Sequence, residues 1–279
     1  LYCPRMISTY NVSVIVVTFD RSEDILARAL KSALNQTLPP NEVIVVDTGT
    51  DIALSKKKKT LSEKMSVCYV KCPETGGPYG RNLGASVSKS EYIAFLDDDD
   101  EWNPEKLSDQ TAALDDGICL VHSDYLIENK DGTFGSFRSA YGACESILSC
   151  NNIGCTSMIL LSKKYFDEAG GFDVKFKSNQ EWDLWIRMLD KGKSALAKGI
   201  AGVKHYDSGS ISANRFKRKR GWLRLFEKHF VRYLKNPGSL ACASRYMYGE
   251  MLSSKYYATA VFGFILFLGA KVLSAVTGK

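Results

Sequence analysis

Val12-Ser13-Val14-Ile15-Val16-Val17-Thr18-Phe19 opens the readable part of the chain. Apolar, β-branched residues fill this run almost without alternation, which is the pattern of a strand buried on both faces. Ser22 follows as a helix cap, with Glu23 and Asp24 in the first turn. Ile25, Leu26, Ala29, Leu30, Ala33 and Leu34 then recur at helical spacing. Pro39-Pro40-Asn41 breaks that helix, and Glu42–Val46 predicts a second buried strand ending at Asp47. Lys56–Lys59 falls in a polar stretch, helix or loop. Val67–Val70 predicts a third strand and Tyr92–Leu96 a fourth. Thr75-Gly76-Gly77-Pro78 turns into a short helix over Tyr79–Val87, and Asn103-Pro104 opens another, with Asn as cap and Pro at the first helical position. Strands and helices alternating over such short connections imply βαβ units, hence an α/β fold on a mixed, mostly parallel sheet. Beyond residue 115 the pattern loosens. Strands are expected near Cys119–Ile127 and Thr156–Leu161, and helices near Lys163–Ala169 and Glu181–Lys191.

The whole chain has 279 residues, 45% hydrophobic and 24% charged, an ordinary globular composition. Its net charge of +6 hides a polarity. Residues 211–279 hold 13 Lys/Arg against 2 Asp/Glu, a net of +11, and the rest of the chain is acidic, at −5. An acidic body with a basic tail points to an anionic partner, membrane or nucleic acid. The eight cysteines form no C-x-x-C pair and no His stands at zinc-ligand spacing. Leu1–Tyr10 lacks the layout of a secretory signal and is read as an extension, or as the lead-in to a start at Met6. Reduced thiols facing the cytosol are therefore expected.

In an open α/β sheet, ligands bind outside the carboxyl ends of the strands. That rule places Thr18, Phe19, Asp20 and Arg21, then Asp47, then Asp97-Asp98-Asp99-Asp100-Glu101, along one rim. Five successive acids repel one another, and a divalent cation with oxygen-only ligands, Mn2+ or Mg2+, would relieve the repulsion. The alternative is a solvated acidic turn; the direct approach from the buried Tyr92–Leu96 favours the metal. Gly76-Gly77-Pro78 matches neither a dinucleotide fingerprint nor a Walker A sequence, which disfavours nicotinamide cofactors and P-loop chemistry. Arg81 alone reads as a structural ion-pair residue or as a phosphate contact.

Taken together these blocks resemble the opening of a family 2 glycosyltransferase of the GT-A fold. The match runs through Val14–Arg21, Leu30–Thr37, Glu42–Asp47, Gly80-Arg81-Asn82-Leu83-Gly84 and Phe95–Asp100, and ends in Gln180-Glu181-Trp182-Asp183-Leu184-Trp185-Ile186-Arg187. The resemblance implies an inverting enzyme with a nucleotide-sugar donor, expected to be UDP-linked, and a divalent metal. It implies that Thr18, Phe19, Asp20, Arg21, Asp47, Arg81, Asp97 and Asp98 line the nucleotide site, and that Asp97 and Asp99 are the D-x-D positions with Asp99 a direct metal ligand. The family's late motif carries Glu-Asp before an aromatic residue, its second acid serving as base; here Gln180-Glu181 stands there. Glu181 thus falls on the base position, with Asp183 in reserve. His205, before the Gly/Ser-rich Asp207–Ser212, is a further metal or phosphate contact, against the plainer reading of a surface histidine.

The expected organisation is an extension (1–11), a GT-A catalytic domain (12–206, with a nucleotide-binding half to 115 and an acceptor half from 116) and a helical C-terminal region (207–279). Residues 215–235 carry nine Lys/Arg and one acid, interleaved with Trp222, Leu223, Leu225, Phe226, Phe230, Val231, Tyr233 and Leu234. This reads as a basic amphipathic helix, with residues 215–278 meeting an anionic membrane surface. The 15 uncharged residues Tyr256–Ala270 reach only about 22 Å as a helix, so a single C-terminal span requires the stretch to continue past Lys271. The expected protein is a peripheral or monotopic enzyme of polysaccharide biosynthesis on the cytoplasmic face of a membrane, using a lipid-linked or envelope glycan acceptor and no nucleic acid. The alternative is a membrane-bound sugar-nucleotide or glycan-binding pseudoenzyme, motivated by Gln180-Glu181.

Overall fold

The computed structural model describes residues 10–138, 146–205 and 215–253, with positions 263, 265 and 267–270. The chain forms two compact units, one of Leu1–Ser139, Gly154–Phe172 and Met188–Tyr206, the other of Ala140–Ile153, Asp173–Arg187 and Asp207–Lys279.

The first unit holds a mixed sheet. In chain order its elements are β1 (Val12–Thr18), α1 (Glu23–Leu34), β2 (Glu42–Asp47), α2 (Ile52–Lys64), β3 (Cys68–Lys71), α3 (Gly77–Val87), β4 (Tyr92–Asp97), β5 (Glu101–Trp102), α4 (Lys106–Thr111), β6 (Ile118–Glu128), β7 (Phe134–Phe137), β8 (Leu160–Ser162), α5 (Lys163–Glu168) and β9 (Lys193–Lys204). The strand order is β3-β2-β1-β4-β8-β6-β9-β5, with β7 paired to β6. The first four strands are mutually parallel. β6 and β9 are also parallel, whereas β8, β7 and β5 join antiparallel. Every residue of β1 is buried, as its unbroken apolar pattern requires. Val14 and Val16 pack with Leu26, Leu30 and Leu107 in the main core.

The register fixes where chemistry can occur. Thr18 lies opposite Asp47, and Val17 opposite Asp97, so β1, β2 and β4 end at one level. Helix α3 approaches that sheet closely because two of its residues lack a side chain. A Cβ on Gly80 would meet Thr48 at 2.7 Å and Val17 at 2.8 Å, and one on Gly84 would collide with Ile15. The close packing carries Arg81, on the same helix, to the strand ends.

Three sequence expectations need correction. The helix placed at Asn103-Pro104 starts later, with Glu105 at its cap, because Glu101 and Trp102 pair with β9 and Asn103 bonds the Ile200 and Ala201 carbonyls. The strand placed at Thr156–Leu161 begins as a 3-10 turn over Thr156–Met158 and is extended only from Leu160. Among the described cysteines, Cys68, Cys72, Cys119, Cys155 and Cys242 are free thiols, but Cys150 is disulfide-bonded to a partner outside the described residues. Cys150 is partly buried in a loop followed by Asn151 and Asn152, outside the sheet strands.

The second unit is helical: α6 (Gln180–Leu189) begins in it, followed by α7 (Arg215–Lys235) and α8 (Pro237–Ser253). Its core joins Phe176, Trp182 and Ile186 to Trp222, Leu225, Phe226 and Tyr233. Trp182 stands edge-on to Trp222 with centroids 5.0 Å apart. Half of the apolar set expected to meet a membrane therefore packs inside the protein, while Leu223, Phe230, Val231 and Leu234 remain exposed. α7 bends at His229, whose φ of −104° and ψ of 16° lie outside the helical well. Among the described residues no helix is long and apolar enough to cross a membrane. Most of Tyr256–Gly278, like the Gly/Ser-rich Asp207–Ser212, lies outside the described residues.

Candidate active site

At the end of β4 the chain delivers four aspartates into largely buried positions, where charge is costly. Asp97, Asp99 and Asp100 each offer an oxygen within 4.8 Å of the others. Arg81, itself buried, pairs with Asp97. Burial would raise the Asp97 carboxyl, but the charges of Arg81 and Lys204 and hydrogen bonds from Arg81 and Ser157 hold it below the usual range. Its neighbours go the other way. Burial, reinforced by the charges of Asp99 and Asp97, pushes Asp98 up to about 7 against the pull of Thr18 and Arg21. Asp100 is pushed up to about 7 by burial and by Asp97 and Asp99, despite Lys204. Asp99 is raised by burial and by Asp97.

A hard divalent cation suits this set: it takes carboxylate oxygens and removes the repulsion that raises their pKa values. The Asp98 and Asp100 Oδ2 atoms are buried without a hydrogen-bond partner, as expected where a counter-charge is to be received. Arg21 Nη2 reaches Asp99 at 3.0 Å, and Arg28 donates to the Asp99 carbonyl at 2.7 Å, so the loop is braced from the β1–α1 connection and from α1. Arg81 keeps Nε and Nη1 unpartnered while its guanidinium lies 5.4 Å from the Phe172 ring centroid. Two buried N–H donors beside an acid cluster are a ready seat for an anionic ligand oxygen.

The remaining candidates divide. Phe19 is 50% exposed, an aromatic ring offered to solvent at the strand ends. Asp20 accepts from Thr50 and Asp51, ordering the loop after β2. Asp47, by contrast, has no exposed surface. Gly49, Ser55, Lys58, Tyr69 and Lys71 all donate to it, and their hydrogen bonds overcome burial to hold its carboxyl far below the usual range. Its carboxylate organises the ends of β2 and α2. His205 bonds Glu128 at 2.7 Å through Nδ1 and donates its backbone N–H to Asp100, but it is not part of the three-aspartate group. Sequence reasoning missed Lys204, half-buried one residue earlier, whose ammonium burial would lower but the charges of Asp100, Asp97 and Asp99 raise. No spacing rule marks a lysine at the end of a strand as bold as an acid run does.

In the second unit Glu181 is half-buried in the first turn of α6. Asp183 is wholly enclosed. Arg187 reaches it at 2.7 Å, Lys228 at 3.0 Å and His229 Nε2 at 2.9 Å. Burial alone would raise this carboxyl, but those hydrogen bonds, His229's foremost, hold it down to about 2.

The family model described as Glycosyl transferase family 2 matches residues 13–166, more than half the chain and all of the acid rim. The chain belongs to glycosyl transferase family 2. It is 30% identical over 215 residues, 74% of this chain and 81% of the relative, to the Escherichia coli UDP-Glc:alpha-D-GlcNAc-diphosphoundecaprenol beta-1,3-glucosyltransferase WfaP. It is 26% identical over 235 residues, 80% and 90% of the two chains, to the putative teichuronic acid biosynthesis glycosyltransferase TuaG of Bacillus subtilis. In fold it resembles S. aureus TarS 1–349 in complex with UDP-GlcNAc, with TM-score 0.61 and 16% identity over 96% of this chain and 92% of that one. It also resembles the Pyrobaculum calidifontis mannosyltransferase PcManGT in complex with GDP-Man and Mn2+, with TM-score 0.62 and 17% identity over 96% and 87%. The mixed α/β sheet described above is thus the GT-A architecture of a glycosyltransferase.

Proposed function

We propose that this glycosyltransferase inverts configuration, moving a sugar from a UDP-linked donor to a lipid-linked or envelope glycan at a membrane. The observation that carries the reading is the rim itself: three clustered carboxylates, with the buried and half-partnered Arg81, at the carboxyl ends of parallel strands. Phe19 would lie against the base. Asp97 and Asp98 would face the ribose and diphosphate, and Arg81 would donate its free N–H groups to a phosphate oxygen. Asp99, with Asp97 and Asp100, would hold Mn2+ or Mg2+, which when bound neutralises charge on the diphosphate. A sugar hydroxyl is a poor nucleophile, so one carboxylate must accept its proton as it attacks the anomeric carbon. Glu181 takes that role in the proposal. Asp183 is an ill-suited base, since three cationic or donor side chains already hold its oxygens.

The test is release of nucleoside diphosphate from a panel of nucleotide sugars with Mn2+, repeated with chelator and with Glu181→Gln. Turnover that requires the metal and falls at least about a hundredfold in the variant supports the assignment. Unchanged turnover in Glu181→Gln rejects Glu181 as base. Donor binding without turnover in the wild type favours the pseudoenzyme, the reading that Gln180-Glu181 keeps open.

A further inference from the structure

The second unit contains a cavity of about 470 Å³ that the reading above does not use. Its lining is Lys175, Lys177, Arg220, Leu223, Arg224 and Glu227. Four cations face one acid there, and that acid is largely solvent-exposed. Lys175, Lys177 and Arg220 are exposed. Arg224 is anchored, at 3.4 Å from Asp173 and 3.3 Å from Glu227, and its buried Nε lacks a partner. The anchored guanidinium forms a fixed floor and the three exposed cations form an adjustable rim. Charge of this sign and density calls for a ligand bearing more than one negative charge. One wall is apolar: Leu223 lines the cavity, and farther along α7 Phe230, Val231 and Leu234 are 51%, 62% and 47% exposed. Leu223 precedes the bend at His229 and the other three follow it, all exposed. A soluble anion would gain nothing from that strip, whereas an amphiphile with an anionic head and a hydrocarbon chain would use both.

We propose that this basin seats the diphosphate head of a lipid-linked acceptor, with the start of its hydrocarbon chain lying along the exposed apolar side of α7. For the ligand's identity it rests on the reading that the acceptor is lipid-linked; charge and the adjoining apolar strip supply the chemistry. Lys175 and Lys177 precede α6 by several residues, so the basin is not a property of the basic tail alone.

Farnesyl diphosphate is a suitable probe. Its binding to the full chain is measured by calorimetry without divalent metal, the ion on which diphosphate binding at the nucleotide site is proposed to depend. The wild type should bind it, and Lys177→Gln/Arg220→Gln should weaken it at least about tenfold. Both side chains are exposed, so the fold should be unaffected. Phe230→Gln should weaken farnesyl diphosphate but not inorganic diphosphate. Equal affinity of wild type and double variant overturns the site. Equal affinity for inorganic and farnesyl diphosphate removes the role of the strip. Capture by phosphatidylglycerol vesicles without farnesyl diphosphate binding replaces the acceptor site with a general membrane contact. UDP binding, read separately, tests the donor reading; its absence would sink that reading while leaving the basin result to stand.

Discussion

Asp183→Asn separates a structural carboxylate from a catalytic one. In the native protein Asp183 ties α6 to α7 through Lys228 and His229, and to its own helix through Arg187. Because a carboxylate only accepts, the His229 contact places the imidazole proton on Nε2. The carboxyl is lowered from 3.8 to about 2, a gap corresponding to about 2 to 3 kcal/mol in favour of the folded state. The sign follows from proton counting. Between those two values the unfolded chain binds the proton and the folded one does not, so the stabilisation is complete above about pH 4 and is lost as pH falls through 2. Removing the charge also leaves three donors facing a neutral amide, which raises the expected loss at pH 7 to about 3 to 5 kcal/mol. Urea unfolding should show this as a lower midpoint in Asp183→Asn, with the wild-type advantage shrinking as pH drops below 4. Turnover per folded molecule should change far less than in Glu181→Gln. A variant with the wild-type midpoint and abolished turnover would refute the argument and make Asp183 the base.

Two further outcomes follow from packing. Gly84→Ala sets a methyl against Ile15, which should cost about 1 to 3 kcal/mol in thermal unfolding and, by lifting α3, weaken UDP binding through Arg81. Lys58→Met leaves the buried Asp47 carboxylate short of its enclosed partner, and a loss of about 3 to 5 kcal/mol is expected by chemical denaturation.

What could be read from residues alone depended on how strongly burial marks them. β1, β2 and β4 announced themselves because both faces are covered, leaving no polar alternation to confuse the pattern. β9 did not: its twelve residues are mostly small or charged and only three are buried, and pairing with β6, rather than apolar content, makes it a strand. The same limit applied to charge. The run Asp97–Asp100 identified the rim, but spacing could not tell that Asp47 and Asp183 are wholly buried against cationic and donor side chains from other elements. Those are facts of long-range pairing, set by Lys58 at one site and by His229 and Lys228 at the other. Nor could Lys175 and Lys177 be linked to Arg220 before the chain is folded.

Lys56, Lys57, Lys58 and Lys59 are indistinguishable in composition, yet only Lys58 is enclosed, 2.9 Å from Asp47, while its three neighbours are exposed. An amine-reactive reagent should therefore label three of the four at once and reach the fourth only when α2 swings away from β2. The rate of that last labelling is a site-specific clock for local opening of the nucleotide-side sheet, obtainable by peptide mass spectrometry without altering a residue.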